Sequence, residues 1–316
     1  MAELKAEGHT AEFQGLHVRR LDVSISSVMF SFAMVLLAWA AVVWGSLYAV
    51  PFAVLVIASR QRALGNNLHD AAHGNIWGTG AELWGQWILA APMFEEFTRY
   101  RKRHLSHHAN LSHPDLDPDH VSAPPGLSSR ALYWALFTDF RMWMGNALGE
   151  LPAMSWAARI KVVLWWGVVT GGVSAIAGSR AGLALLALWV LSRATSYHAL
   201  KVFTELSDHV GLEPGTILGY TRNCPRNVLS WFIHPHNDNF HLTHHLAPRI
   251  PMPNLGKAHA LLLALPGYRR GQHCDGYFVG ACPVVQQWTP EAEALPIRSS
   301  SPGRPSLAVY PSADGS

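Results

Sequence analysis

Two long apolar blocks organise the chain. The first runs almost unbroken from Val23 to Ile57, interrupted only by small hydroxyl residues, Gly45 and Pro51. A helix of about 20 residues crosses a bilayer, so this block is too long for one span and short for two. It predicts a tight helical hairpin over about 23–64 that turns near Gly45-Ser46, with the second arm running past Arg60 and Arg62 into the aqueous phase. The second block, Ile160 to Leu191, is broken at Gly178-Ser179-Arg180 and repeats the logic. It predicts a hairpin over about 160–203 whose returning helix carries Tyr197, His198, Glu205 and His209 beyond the hydrocarbon.

The shorter stretches fill in around these hairpins. Glu82 to Phe94 is apolar but only long enough for a buried or interfacial segment, so it is not counted as a span. Asn110 to Pro125 is rich in Pro, Asp and Ser and reads as a loop, whereas the aromatic run Leu132 to Leu148 predicts one interfacial helix. Residues 1–22 are polar and carry no cleavable signal pattern, and 288–316 are Pro, Ser and Gly with scattered charge, which predicts disorder. The expected fold is an all-α integral membrane protein with two transmembrane hairpins, hence four spans. They lie in one domain over 23–287, with a helical cap drawn from 65–159 and 204–287. Arg60, Arg62 and the run Arg99-Tyr100-Arg101-Lys102-Arg103 fall on the cap side, and Arg180 is the lone basic residue at the hairpin turns. By the positive-inside rule the cap is cytoplasmic.

Composition agrees with a membrane protein. Of 316 residues only 14% are charged and 49% are hydrophobic, with 13 Trp. The formal charge is +3, and no basic stripe with interleaved aromatics appears outside Arg99 to His104, which argues against a nucleic-acid partner. Cys224, Cys274 and Cys282 are odd in number and form no C-x-x-C pair, so they read as free thiols rather than a disulfide or thiolate-metal framework.

Histidine is the outlier, with 18 residues. His104, His107 and His108 stand at i, i+3, i+4; His241, His244 and His245 repeat that spacing; His69 and His73 form an i, i+4 pair. On a helix each set projects from one face. Neutral imidazole offers one lone pair to iron, zinc or copper and brings no charge into a buried site. Two triplets and a pair exceed the needs of one ion, which implies two metals. Structural zinc takes four ligands and usually includes cysteine. Asp70 stands where a zinc-protease motif requires glutamate, and is read instead as a carboxylate that orients an imidazole through its distal N–H.

HDAAHG at 69–74, HLSHHANLSHP at 104–114 and NFHLTHHLAPRIPMPNL at 239–255, in that order and with apolar hairpins between them, resemble the three histidine boxes of the membrane fatty acid desaturase family, which includes related hydroxylases, ketolases and acetylenases. The resemblance covers about 20–270. It implies a non-haem di-iron enzyme with four transmembrane helices and a cytosolic catalytic cap, placed in a bacterial inner membrane. The implied ligands are His69, His73, His104, His107, His108, His241, His244 and His245, together with His209, the match to a lone histidine of the family between the second hairpin and the third box. Where some members have an asparagine four residues before that histidine this chain has Glu205, read as either a metal ligand or a partner of His209. His198 is expected inside the helix bundle; His113, His120, His234 and His236 are expected to be solvated or supporting residues; His259 and His273 are left without a role. The resemblance further implies a fatty acyl substrate held in a narrow apolar tunnel and desaturated with dioxygen, in contact with membrane lipid. No haem-binding, flavin or iron–sulfur motif is present, so electrons are expected from a separate ferredoxin or cytochrome with its reductase. The readings left beside this one are a hydroxylase, ketolase or acetylenase on another lipid, and a membrane metal-binding or transport protein.

Overall fold

The structure is a computed structural model that describes residues 8–76, 81–121, 124 and 126–289. Its first apolar block folds back on itself. A short helix α1 (Thr10–Gly15) precedes α2 (Leu21–Ala40), which widens into a π-helical turn at Ala41–Gly45. Ser46 is extended and stops the helix, and its hydroxyl accepts from the Tyr48 amide at 3.2 Å. Pro51 lies in the first turn of α3 (Val50–Ala72), where its missing N–H has no intrahelical partner to lose. The turn falls where the sequence places it. The second arm does not emerge into water, however. Arg60 is 1% and Arg62 is 6% exposed, because α3 continues beneath the segment that carries the third histidine set. Arg60 lies 3.9 Å over the Trp231 ring and Arg62 meets Asp238 at 2.7 Å. These arginines act as internal ties, and they do not serve as solvated charges.

Glu82 to Phe94 is a short helical turn, Ala81–Trp84, widened through Gly85–Ala90, and it is not a span. Its first turn is exposed at Leu83 and Trp84, while its second half is buried, with Leu89, Ala90 and Ala91 each 0% exposed. Helix α4 (Phe97–Ala109) follows with the second histidine triplet. The single helix expected over Leu132–Leu148 is two, α5 (Ser129–Phe137) and α6 (Phe140–Leu148). Asp139 divides them, since its carboxylate accepts from the Met142 amide at 2.7 Å and caps α6. Asp139→Ala is expected to cost about 1 kcal/mol, seen as a lower apparent melting temperature in detergent with bound metal unchanged.

The second hairpin is α7 (Trp156–Ala177) and α8 (Ser179–Ser192), turned at Gly178 with φ 91°. A side chain at Gly182 would come within 2.6 Å of the Thr170 carbonyl, so glycine there lets the two helices touch. Through Arg193–Tyr197 the chain runs on without a break into α9 (His198–His209). Among the described residues four helices, Leu21–Gly45, Leu47–Ala72, Trp156–Ala177 and Ser179–His209, are long and apolar enough to cross a membrane. Their outward faces stay apolar, with Trp44, Val168 and Ile176 exposed. The inward faces are joined by Trp39 donating to the Ala181 carbonyl and Gln61 donating to that of Trp189, both at 2.9 Å.

Helices α10 (His241–Leu246) and α11 (Met252–Leu262) complete the layer over the histidines. The one departure from an all-helical chain among the described residues is a pair of two-residue parallel strands, β1 (Arg222–Asn223) and β2 (Gln272–His273), with a further single bridge between Gly276 and Pro283. Trp288, at the start of the segment expected to be disordered, is instead packed: 3% exposed, with its ring 5.0 Å from that of Phe203. The rest of that segment, from 290 onward, lies outside the described residues.

Candidate metal centre

The long inner helices deliver the histidines. His69 sits in the last turn of α3 and His73 caps it; α4 supplies His104, His107 and His108; α9 ends on His209; and α10 presents His241, His244 and His245. These nine fall into two groups, His69, His73, His104, His108 and His244 in one, and His107, His209, His241 and His245 in the other. Within each group the potential ligand atoms all lie within 4.8 Å of one another. The spacing suits a shared ion: donors about 2.1 Å from a metal lie about 3 Å apart as neighbours and about 4.2 Å apart across it. Each triplet is divided between the groups. His108 and His245 then stack at 4.2 Å between ring centres, which sets the two groups side by side.

The ring nitrogens converge in a way that protons alone satisfy poorly. His107 Nδ1 lies 2.7 Å from Asp117 Oδ1 and His209 Nδ1 lies 2.9 Å from the Tyr220 carbonyl, so both rings carry their proton on Nδ1 and turn an Nε2 lone pair inward. His209 Nε2 and His245 Nε2 lie 2.9 and 3.0 Å from His241 Nε2, and one proton on His241 serves only one of them. In the first group His73, His108 and His104 meet in the same way at 2.8 and 3.1 Å, and His244 meets His108 at 3.0 Å. A cation among these nitrogens satisfies several lone pairs at once, so the donor set fits a metal. Burial pushes His73 down to about 4 and pushes His104, His108, His241, His244 and His245 below their ordinary value, which keeps the imidazoles neutral and ready to ligate. For His107, burial works in the same direction but the Asp117 carboxylate more than offsets it.

Asp117 escaped the sequence reading, which saw only a Pro- and Asp-rich loop. It also accepts from the amides of Ser112 at 3.1 Å and Asp119 at 2.9 Å, so the loop is folded around its carboxylate. Its one sequence signal is a carboxylate a short loop beyond a histidine triplet. Asp70 is the reverse case. Its carboxylate accepts from Asn75 Nδ2 at 2.8 Å and from the Met252 amide at 3.2 Å and meets no imidazole; it ties the end of α3 to the start of α11. Glu205 neither joins a metal-capable group nor bonds His209. It is paired with Lys201 one helical turn before it.

The other histidines sort by local partners. His198 is 0% exposed and lies 2.9 Å from both Asn146 Nδ2 and the Phe137 carbonyl, within the bundle as expected. His113 accepts from the Asp115 and Leu116 amides in its own turn, and His234 lies 2.9 Å from the Tyr277 hydroxyl. His259 and His273, without a role in the sequence reading, each lie 3.2 Å from Asn223 Nδ2. His236 lies 2.9 Å from the Ser27 hydroxyl, and burial, helped by the charge of Arg60, pushes its imidazole down to about 4. In the unfolded chain it titrates near 6.5. The unfolded state therefore takes up the proton first, and stability present above about 6.5 is lost as pH falls toward 4. The apparent melting temperature is expected to fall between pH 7 and pH 5, and less steeply in His236→Asn, which tolerates the backbone φ of 64° at this position.

A cavity of about 400 Å³ opens against both groups, with His69, His104, His107, His209 and His241 in its lining. Its lining is mixed in polarity. Leu68, Met93, Val121 and Met142 contribute apolar surface, but Arg62, Arg103, Arg193, Lys201 and several carboxylates surround the rest.

Residues 45–276 match the family model described as Fatty acid desaturase. Dihydrorhizobitoxine desaturase of Bradyrhizobium elkanii is 30% identical over 249 residues, which covers 71% of each of the two chains.

Proposed function

Because the chain belongs to the fatty acid desaturase family, we propose that it is a dioxygen-dependent membrane desaturase whose nine clustered histidines hold two irons. The observation that carries this reading is the division of His69, His73, His104, His107, His108, His209, His241, His244 and His245 into two adjacent groups, each with members in the lining of one cavity. Iron bound there and reduced from outside would supply the oxidant that takes hydrogen from an unactivated C–H. Over the whole reaction two substrate hydrogens, one dioxygen, two electrons and two protons become a C=C bond and two waters. The two electrons come from a separate ferredoxin or cytochrome with its reductase.

The chain's own part is positional. Asp117 and the Tyr220 carbonyl hold the protons of His107 and His209 on Nδ1 and fix both rings. Asp70 joins α3 to α11 and so keeps His69 and His73 against the third set. The four apolar helices lie in a membrane, and the basic run Arg99–Arg103 against the single Arg180 at the hairpin turns supports a cytoplasmic site. The family implies an acyl substrate.

Protein purified in detergent is expected to carry close to two irons per chain, and with reductant and dioxygen to yield a product lighter by two hydrogens. A product heavier by one oxygen would assign the hydroxylase reading instead. Stoichiometric zinc in freshly isolated, active protein would overturn the iron assignment.

A further inference from the structure

The cavity against the histidines has a charge pattern that an alkyl chain would leave unmatched. Three of its cations already have partners: Arg62 meets Asp238 at 2.7 Å, Arg103 meets Glu150 at 3.2 Å, and Lys201 is paired with Glu205; Arg141 is exposed to solvent. Arg193 has no carboxylate partner among the described residues. It is 1% exposed, donates through Nε to the Ala147 carbonyl at 3.0 Å, and lies over the rings of Phe94 and Tyr197. A guanidinium has five N–H donors and cannot shed its charge, so one carbonyl and two ring faces leave it short of a counterion. On the same cavity Glu95 has no ion-pair partner among the described residues, whereas Glu150 is shared by Arg99 at 3.4 Å and Arg103 at 3.2 Å.

Unmet groups of both signs are costly to keep in a closed site unless something arrives to meet them. A methylene chain in this space would leave Arg193 and Glu95 without partners. A molecule carrying one anion and one cation would match both. Arg193 presents the planar fork that receives a carboxylate, while Glu95 offers its carboxylate to an ammonium. Leu68 and Met93, on the same lining, offer apolar surface to a short stub, with the Met93 sulfur 3.9 Å from Arg193 Nη1. The volume, about 400 Å³, is within the range of small-molecule sites.

We infer that the substrate of this site is a compact amino-acid-like zwitterion, held by its carboxylate at Arg193 and by its ammonium at Glu95, with the reacting C–H only a few bonds from those groups. The inference rests on the reading of the chain as a desaturase for its chemistry, but its binding step is testable alone. It also departs from the acyl substrate that family membership implies.

The test uses iron-loaded protein in detergent and four probes: norleucine, its two single-charge counterparts hexanoate and hexylamine, and palmitoyl-CoA. Calorimetric titration is expected to show norleucine binding at least about tenfold more tightly than hexanoate or hexylamine, since each lost charge-assisted contact weakens binding by about that factor. Arg193→Gln should bring norleucine to the level of hexylamine, and Glu95→Gln should bring it to the level of hexanoate, both with parental iron content. Should Arg193→Gln fail to load iron, Glu95→Gln carries the test. Equal binding of the three six-carbon probes, unchanged norleucine affinity in the variants, or tight binding of palmitoyl-CoA without norleucine would each overturn the inference. Mass analysis after dioxygen and reductant separates the two readings. Palmitoyl-CoA losing two hydrogens removes the zwitterion and keeps the desaturase, whereas the expected norleucine binding with no mass change in any probe keeps the binding site and counts against the desaturase.

Discussion

His209→Ala is expected to halve the bound metal and to lower turnover to below about a thousandth of the parental value, a loss of about 4 kcal/mol in transition-state stabilisation. His209 belongs to the smaller group, with His107, His241 and His245, so no spare nitrogen in that group replaces it. Its ring is held by the last turn of α9 and by the bond from Nδ1 to the Tyr220 carbonyl, and rigid backbone of this kind fixes a ligand closely. Glu205, one helical turn before it, is engaged by Lys201 and does not enter the group, and Asp208, beside His209 in sequence, lies 3.6 Å from His234. His113→Ala is the matched control. That imidazole accepts from two amides of its own turn, so its removal should cost about 1 kcal/mol of stability or less and leave both metals in place. Iron analysis and turnover on the two purified variants check the pair; a His209→Ala protein with full iron and normal rate would remove His209 from the metal centre.

The histidines were legible because their geometry is local. An i, i+3, i+4 set fixes three side chains on one face whatever the tertiary fold, and the i, i+4 pair at His69 and His73 does the same. The hairpin turns were legible too, since Gly45-Ser46 and Gly178 interrupt otherwise unbroken apolar runs. What failed depended on partners far along the chain. Arg60 and Arg62 read as solvated charges because nothing nearby in sequence predicts that Trp231 and Asp238 will cover them. Asp70 is adjacent to a ligand and looked like its orienting carboxylate, yet its partner is the Met252 amide, 182 positions away. The single helix drawn over Leu132–Leu148 followed hydrophobicity and passed over Asp139, whose side chain competes for the amide of Met142 and ends one helix to begin another. The charged cavity was hidden for the same reason: its lining comes from α3, α4, α6, α9 and α10 and the segments between elements, and no contiguous stretch of sequence carries its pattern.

Asp117→Asn is the second large effect and the one that separates a metal-tuning carboxylate from a loop brace. The wild-type carboxylate takes the Nδ1 proton of His107 at 2.7 Å while accepting from the Ser112 and Asp119 amides. Asparagine keeps an acceptor of the same shape but removes the negative charge, which makes the His107 ring a poorer donor to a metal. Loss of such an outer partner lowers metal affinity about 10–100-fold, so the variant should release iron from the smaller group under a chelator challenge that the parent withstands. The larger group, which does not contain His107, should keep its metal. A loop-brace role predicts a different pattern. Asp117→Asn would then lower the melting temperature with iron release unchanged, because the amide contacts are what would matter. Chelator-release kinetics and melting, measured on the same preparation, distinguish the two, and iron retention equal to the parent's would show that His107 needs no carboxylate to hold its place.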